Sequence, residues 1–252
     1  MAKPIVALQL YTVRDEMAAD YVGTLRKVAA MGYPAVQLGD YGGYSAQELK
    51  RILGDLNLKP IGSHVNLDSL EANADKEISY CLEVGTIDVV IPYLAAERRA
   101  NKDGYLKLAE SMNRVGARCQ ALGARLSYHN HAFEYEKMDG QYALDILFAN
   151  TNPELVKWEP DVYWIQFGHE DPASYIRKYA GRVPLIHLKD MTDGQEPTWA
   201  EVGEGILDWP AIFSACEVAG AEAYIVEQDR CKGSSLDSSA LSLGHLRDWG
   251  KL

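Results

Sequence analysis

Short runs of apolar and β-branched residues alternate eight times with longer stretches of helical period along this chain. The runs fall at 5–10, 35–38, 59–63, 88–92, 125–128, 156–159, 183–188 and 223–227, each of strand length. Helical patterns lie between them. One runs from Thr24 to Met31 and stops at Gly32; another opens on the capping-box spacing Ser45 to Glu48 and runs through Leu53. Further helices are expected at 69–84, 105–122, 142–148, 173–179, 209–218 and 238–249. Gly85, Gly123, Gly181 and Gly220 stand at helix ends, where a residue without Cβ enters the left-handed region freely. Eight such units, with no Pro- or Ser-rich linker, predict one parallel (β/α)8 TIM barrel over residues 1–252 as a single domain. A doubly wound open sheet is the alternative, since periodicity does not show closure.

Composition supports a large core and removes several functions. With 47% hydrophobic residues, 252 residues bury enough surface to fold without disulfides or a structural metal. A net charge of −11 argues against nucleic acid and anionic membranes as partners. The four cysteines are widely separated and form no CxxC, the pattern of reduced thiols. Met1-Ala2-Lys3-Pro4 leads directly into the first run, and no window approaches the ~18 apolar residues of a membrane span. The expectation is a cytoplasmic protein with a small-molecule partner, no nucleic acid and no membrane. Assembly into a homo-oligomer is left open.

The strand ends carry the chemistry. Strand 3 runs into Ser63-His64-Val65-Asn66, and strand 5 into His129-Asn130-His131 with Phe133-Glu134 beyond. Strand 6 carries Glu159-Pro160-Asp161-Val162-Tyr163-Trp164, strand 7 ends His187-Leu188-Lys189-Asp190, and strand 8 ends Glu227-Gln228-Asp229. Taken singly these have plain structural explanations. His64 alone reads as a hydrogen-bonded loop residue, Glu159 and Asp161 as charges beside a turn, Lys189 and Asp190 as an ion pair, and Trp158, Tyr163 and Trp164 as packing. Five strand ends in agreement point to one mouth. Asp161, His187 and Glu227 end three successive strands, so closure would bring them into one coordination sphere. Asp, Glu and His together suit Mg²⁺, Mn²⁺, Co²⁺ or Zn²⁺. Such a metal would hold a hydroxy-ketone and stabilise the enediolate formed on deprotonation beside the carbonyl.

In these residues the chain resembles the xylose isomerase-like TIM-barrel superfamily of sugar (phosphate) isomerases and epimerases. The resemblance rests on Leu8-Gln9-Leu10-Tyr11-Thr12-Val13-Arg14, Gly32-Tyr33-Pro34-Ala35-Val36-Gln37, Ser63-His64-Val65, Tyr128-His129-Asn130-His131 and Glu159-Pro160-Asp161-Val162-Tyr163-Trp164. It continues through Gly181-Arg182-Val183, His187-Leu188-Lys189-Asp190, Val202-Gly203-Glu204-Gly205 and Ile225-Val226-Glu227-Gln228-Asp229. It implies metal ligands at the ends of strands 5 to 8, carried over as Asp161, His187 and Glu227. Many relatives have Glu at the end of strand 5, where this chain has His129, so the fourth ligand is His129 itself or Glu134 from the loop. The strand 2 glutamate of relatives is Gln37 here. These departures depart from a mechanism that uses two metal-bound glutamates as acid and base.

The expected activity is metal-assisted proton abstraction next to a carbonyl of a carbohydrate-like substrate. His131, His129 or Glu134 takes the proton, and Lys189 neutralises the oxyanion or returns a proton. His64, Gln37, Trp164 and Gln228 bind substrate. Return of the proton gives a sugar isomerase or epimerase. Loss of a β-oxygen gives a keto-sugar or keto-inositol dehydratase or lyase, and a non-catalytic sugar-binding protein is the further alternative. The metal-dependent DNA-repair endonucleases on this barrel need a basic groove, which the chain's acidity disfavours. No G-x-S-x-G nucleophile, Walker loop or dinucleotide fingerprint is present.

Overall fold

The computed structural model describes residues 3–252. Eight parallel strands form the centre: β1 (Ile5–Gln9), β2 (Ala35–Leu38), β3 (Lys59–His64), β4 (Asp88–Ile91), β5 (Arg125–His129), β6 (Val156–Glu159), β7 (Leu185–Leu188) and β8 (Ala223–Val226). They pair in the order β6-β5-β4-β3-β2-β1-β8-β7, so only β6 and β7 lack a full ladder. The seam between those two is closed by Trp158 N–H to Arg182 O at 2.7 Å and His187 N–H to Pro160 O at 2.8 Å. Pro160 has no N–H to extend the ladder, and the last link is a single parallel bridge of Asp161 with His187. This is the expected nearly closed barrel rather than an open sheet. Its closure sets two expected metal ligands side by side.

Ten α-helices among the described residues wrap the strands: α1 (Arg14–Ala19), α2 (Tyr21–Met31), α3 (Ala46–Asp55), α4 (Leu67–Val84), α5 (Lys102–Leu122), α6 (Ala143–Ala149), α7 (Val162–Phe167), α8 (Pro172–Lys178), α9 (Trp209–Ala219) and α10 (Ser235–Asp248). The capping box at Ser45 is present in full. Gly32, Gly85, Gly123 and Gly220 cap α2, α4, α5 and α9 at φ +101°, +117°, +83° and +80°. Gly181 also has positive φ, but α8 has ended by Lys178 with Tyr179 as its cap, so this glycine turns the loop instead. The six-residue helices α1 and α7 lie outside the helical patterns of the sequence. No helix of the described residues is long and apolar enough to cross a membrane.

Strand alternation sorts the barrel interior by height. Successive side chains point to opposite faces, and Ala7, Ala35, Ile61, Val90, Leu185, Ala223 and Ile225 form a small apolar cluster apart from the larger core under the helices. Two residues further along the same strands stand Gln9, Gln37, His187 and Glu227, all buried. The interior therefore passes from small apolar side chains to polar ones as each strand approaches its carboxyl end. At the opposite rim Arg125 binds both oxygens of Asp88 (2.6 and 3.1 Å) and both of Glu222 (2.8 and 2.9 Å).

That rim gives a stability prediction. Burial keeps the Asp88 carboxyl above its ordinary range although Arg125 opposes the shift. An acid with a raised folded pKa binds more protons folded than unfolded, so its penalty is present at neutral pH and fades as pH falls. Removing Arg125 raises that pKa further. Arg125→Met should lose about 3 kcal/mol at neutral pH, with a smaller loss in urea melts at about pH 5. A deficit that grows on acidification would contradict the assignment.

Candidate active and metal site at the carboxyl mouth

Four side chains converge where strands 5 to 8 end. One ligand atom from each of His129, Asp161, His187 and Glu227 lies within 4.8 Å of all the others, and all four residues are buried. His187 Nδ1 is 3.0 Å from Glu227 Oε2, and His129 Nε2 is 3.4 Å from Asp161 Oδ2. Asp161 divides its work: Oδ1 accepts from Trp164 N–H at 3.2 Å and caps α7, while Oδ2 faces the cluster. Both ring nitrogens of His129 and Asp161 Oδ2 are buried without a hydrogen-bond partner. Buried polar atoms are rarely left so, and two imidazoles with two carboxylates are a donor set for a divalent transition metal or zinc. The residues present fit such an ion.

A second polar layer lies beneath this cluster. Glu159, fully buried, has Oε1 3.0 Å from His187 Nε2 and 3.0 Å from His64 Nε2, and its Oε2 accepts from Gln37 Nε2. Gln37 Oε1 accepts from Gln9 Nε2 at 2.7 Å and lies 2.6 Å from His187 Nε2. With Nε2 of His187 donating downward, Nδ1 faces the cluster, the carboxylate–histidine arrangement that orients metal ligands. Burial alone would raise Glu159, yet His187 and His64 outweigh it and keep the carboxylate ionised. Burial disfavours charge on His187, but Glu159 and Glu227 overcome it and raise that ring to about 10 without an ion, so ion binding at Nδ1 would release a proton. Glu159 and Gln9 carried no assigned role in the sequence reading, and Gln37 sits in this layer with its whole amide engaged rather than among the cavity-lining residues.

Lys189 and Asp190 are not an ion pair. Alternation sends them to opposite faces. Lys189 Nζ lies 2.8 Å from Asp161 Oδ2, 2.8 Å from Glu227 Oε2 and 2.7 Å from Asp229 Oδ2, with only 1% of the residue exposed. Burial opposes its charge, and those carboxylates more than restore it, so the ammonium persists. Asp161 Oδ2 and Asp229 Oδ2 are at ion-pair distance from it but out of hydrogen-bond alignment. Asp190 faces the following loop and accepts from the N–H groups of Met191, Gly203, Gly205 and Leu207 and from Trp209 Nε1, at 2.8 to 3.2 Å.

The remaining candidates divide between cavity and frame. A 340 Å³ cavity opens over the cluster, lined among others by Tyr11, His64, Tyr93, His129, His131 and Lys189. His131 stacks on Phe133 with centroids 5.4 Å apart and lies 5.3 Å from Trp164. Burial, followed by His129 and Lys189, lowers its pKa to about 2, so the ring is neutral. Glu134 does not join the metal-ligand group: Oε1 accepts from Tyr128 OH and Oε2 from His131 N–H at 2.8 Å. Burial lifts Glu134 to about 8 against those two bonds. Trp164 is brought over the mouth by α7, 5.6 Å from Lys189 Nζ, while Gln228 is buried and donates to Arg230 O at 3.2 Å. Tyr11, Tyr93 and Asp229, to which the sequence assigned no role, also line the cavity.

An eight-stranded α/β barrel with ionisable residues gathered at its carboxyl mouth is the layout of barrel enzymes, whose sites lie on that face. The chain belongs to the xylose isomerase-like TIM-barrel family, whose model matches residues 25–249. Among solved structures it is similar to a sugar phosphate isomerase/epimerase from Parabacteroides distasonis, with TM-score 0.84 and 25% identity over 98% of this chain and 94% of that one. The IOLI protein, solved with a bound zinc atom, shares the fold at TM-score 0.76 and 14% identity, covering 98% and 97% of the two chains. The inosose dehydratase of Lacticaseibacillus casei is 24% identical over 154 residues, 54% of this chain and 51% of that protein. The chain thus spans about half the length of the curated relatives it matches.

Proposed function

We infer that the protein is a divalent-metal-dependent isomerase or epimerase of a sugar or sugar phosphate, acting by proton abstraction next to a carbonyl. The observation that carries this reading is the convergence of His129, Asp161, His187 and Glu227 beneath a polar cavity that also holds His131 and Lys189. A divalent ion there would be held by those four residues and would supply Lewis acidity to a substrate carbonyl. The neutral ring of His131, its low basicity raised by the negative charge that develops beside it, accepts the proton from the adjacent carbon, leaving its electron pair to form the enediolate. The Lys189 ammonium balances the negative charge that develops on oxygen. His64, whose Nε2–H is held by Glu159, offers Nδ1 as an acceptor for a substrate hydroxyl, and Trp164 forms an apolar wall for the ring carbons. Return of the proton to the neighbouring carbon, with the hydroxyl proton passing between the two oxygens, gives an isomer; delivery of a proton to the opposite face of the same carbon by the Lys189 ammonium gives an epimer.

A second reading is elimination from a keto-inositol or keto-sugar, supported by the likeness to inosose dehydratases. The first step is the same. The enediolate then expels a β-hydroxyl, which leaves as water with a proton from the site. Turnover of a panel of keto-sugars and keto-inositols with Mn²⁺ tests both readings. Products of unchanged mass support isomerisation and loss of 18 Da supports elimination. Substrate binding without any turnover would favour a sugar-binding protein.

A further inference from the structure

Beside the mouth lies a second cavity of about 540 Å³, walled by Leu10, Tyr11, Arg14, Met17, Ala18, Tyr21 and the 39–42 loop. It shares Tyr11 and Gly39 with the cavity over the ion-ligand cluster, so the two lie side by side with one tyrosine between them. Tyr11 is 47% exposed, unusual for an aromatic ring held between two hollows. Its ring is nevertheless fixed. The Arg14 guanidinium lies over it at 4.2 Å and donates to Tyr11 O at 2.8 Å and Asp229 O at 2.9 Å. Arg14 forms no carboxylate ion pair among the described residues, and two main-chain carbonyls use only part of its five N–H donors.

The opposite wall is equally fixed. Tyr21 OH donates to Asp40 O at 2.8 Å, and Gly42, at φ +61°, lies so close to the Tyr21 ring that a Cβ there would come within 2.5 Å of it. Only glycine allows this approach. The hollow is therefore built and rigid, with Leu10, Met17, Ala18 and two tyrosines giving it an apolar, aromatic lining.

We propose that this second cavity is a subsite for the aglycone of a glycoside, so that the substrate is a keto-glycoside with a flat apolar or aromatic substituent rather than a free or phosphorylated monosaccharide. The proposal rests on the reading of the main mouth as a carbohydrate site. The sugar ring occupies the polar cavity and the substituent lies beyond Tyr11, where the remaining Arg14 N–H groups meet an acceptor on its edge. A phosphate is disfavoured there, because the Asp40 carboxylate shares the wall with a single arginine.

Calorimetry on the full chain with Mn²⁺, using D-glucose, D-glucose 6-phosphate and 4-nitrophenyl β-D-glucopyranoside, tests it. The aryl glucoside should bind about tenfold tighter than glucose, the gain expected of one buried aromatic group. Ala18→Trp, at an exposed position that lines only the second cavity, should abolish that gain and leave glucose affinity unchanged. Equal affinity for the three probes, tightest binding of the phosphate, or an aryl gain untouched by Ala18→Trp would overturn the subsite. Aryl preference without proton exchange in any keto-sugar would sink the proposed chemistry and leave the subsite standing. Proton exchange without aryl preference would do the reverse.

Discussion

Asp161→Ala and Glu227→Ala should each lose tight divalent-metal binding and the thermal stabilisation that comes with it. A ligand that binds only the folded state, at about 1,000 times its Kd, stabilises by about 4 kcal/mol. For a chain of this size that is a rise in Tm of roughly 10 °C. Each variant deletes one of two carboxylates among four donors within 4.8 Å of one another, and imidazoles alone supply no negative charge to the ion. Both substitutions also remove a partner of Lys189, so the informative quantity is the difference in Tm with and without metal, variant by variant. Glu134→Gln is the control: its oxygens are engaged by Tyr128 and His131, and metal content should survive. Wild-type metal content in both alanine variants, by elemental analysis, would refute the ligand set.

His131→Ala should lower kcat by about 10²–10⁴-fold, the contribution of a positioned general base, while metal content stays at the wild-type level. His131 lies outside the four-residue ligand group yet lines the same cavity, its ring stacked on Phe133 and its backbone N–H held by Glu134. A variant that keeps its metal and its Tm but loses turnover separates proton transfer from scaffold. Turnover within a factor of about three of wild type would move the base to another residue.

The strands were legible because each is a buried run bounded by turn residues, and all eight lie where the apolar runs fall. The residues of the mouth cluster were legible for a related reason: charged residues at strand ends have no apolar explanation. Asp190 shows what local reading misses. Next to Lys189 it suggests an ion pair, but strand alternation separates the two, and only the fold shows five donors waiting for Asp190 in the following loop. Glu159 was open to the same argument. It stands two residues before Asp161, hence on the same face one layer lower, and a carboxylate there orients His187 and His64. The six-residue helix α7 was missed because Val162–Phe167 is bulky and aromatic beside a proline. Its signal was Asp161, an N-cap residue type that reads from sequence as a charge beside a turn or as a ligand. The choice between His129 and Glu134 was beyond the sequence, since it depends on the turn that folds Glu134 back onto Tyr128.

The central claim is that this mouth removes a proton from carbon beside a carbonyl, and turnover in deuterated water tests it most directly. Candidate 2- and 3-keto-sugars and keto-inositols incubated with the Mn²⁺-loaded protein should gain deuterium at the carbon next to the carbonyl, read by mass spectrometry of substrate and product. The label should vanish in His131→Ala. Isomerisation without label would contradict the account, because a hydride moved directly between carbons never meets solvent.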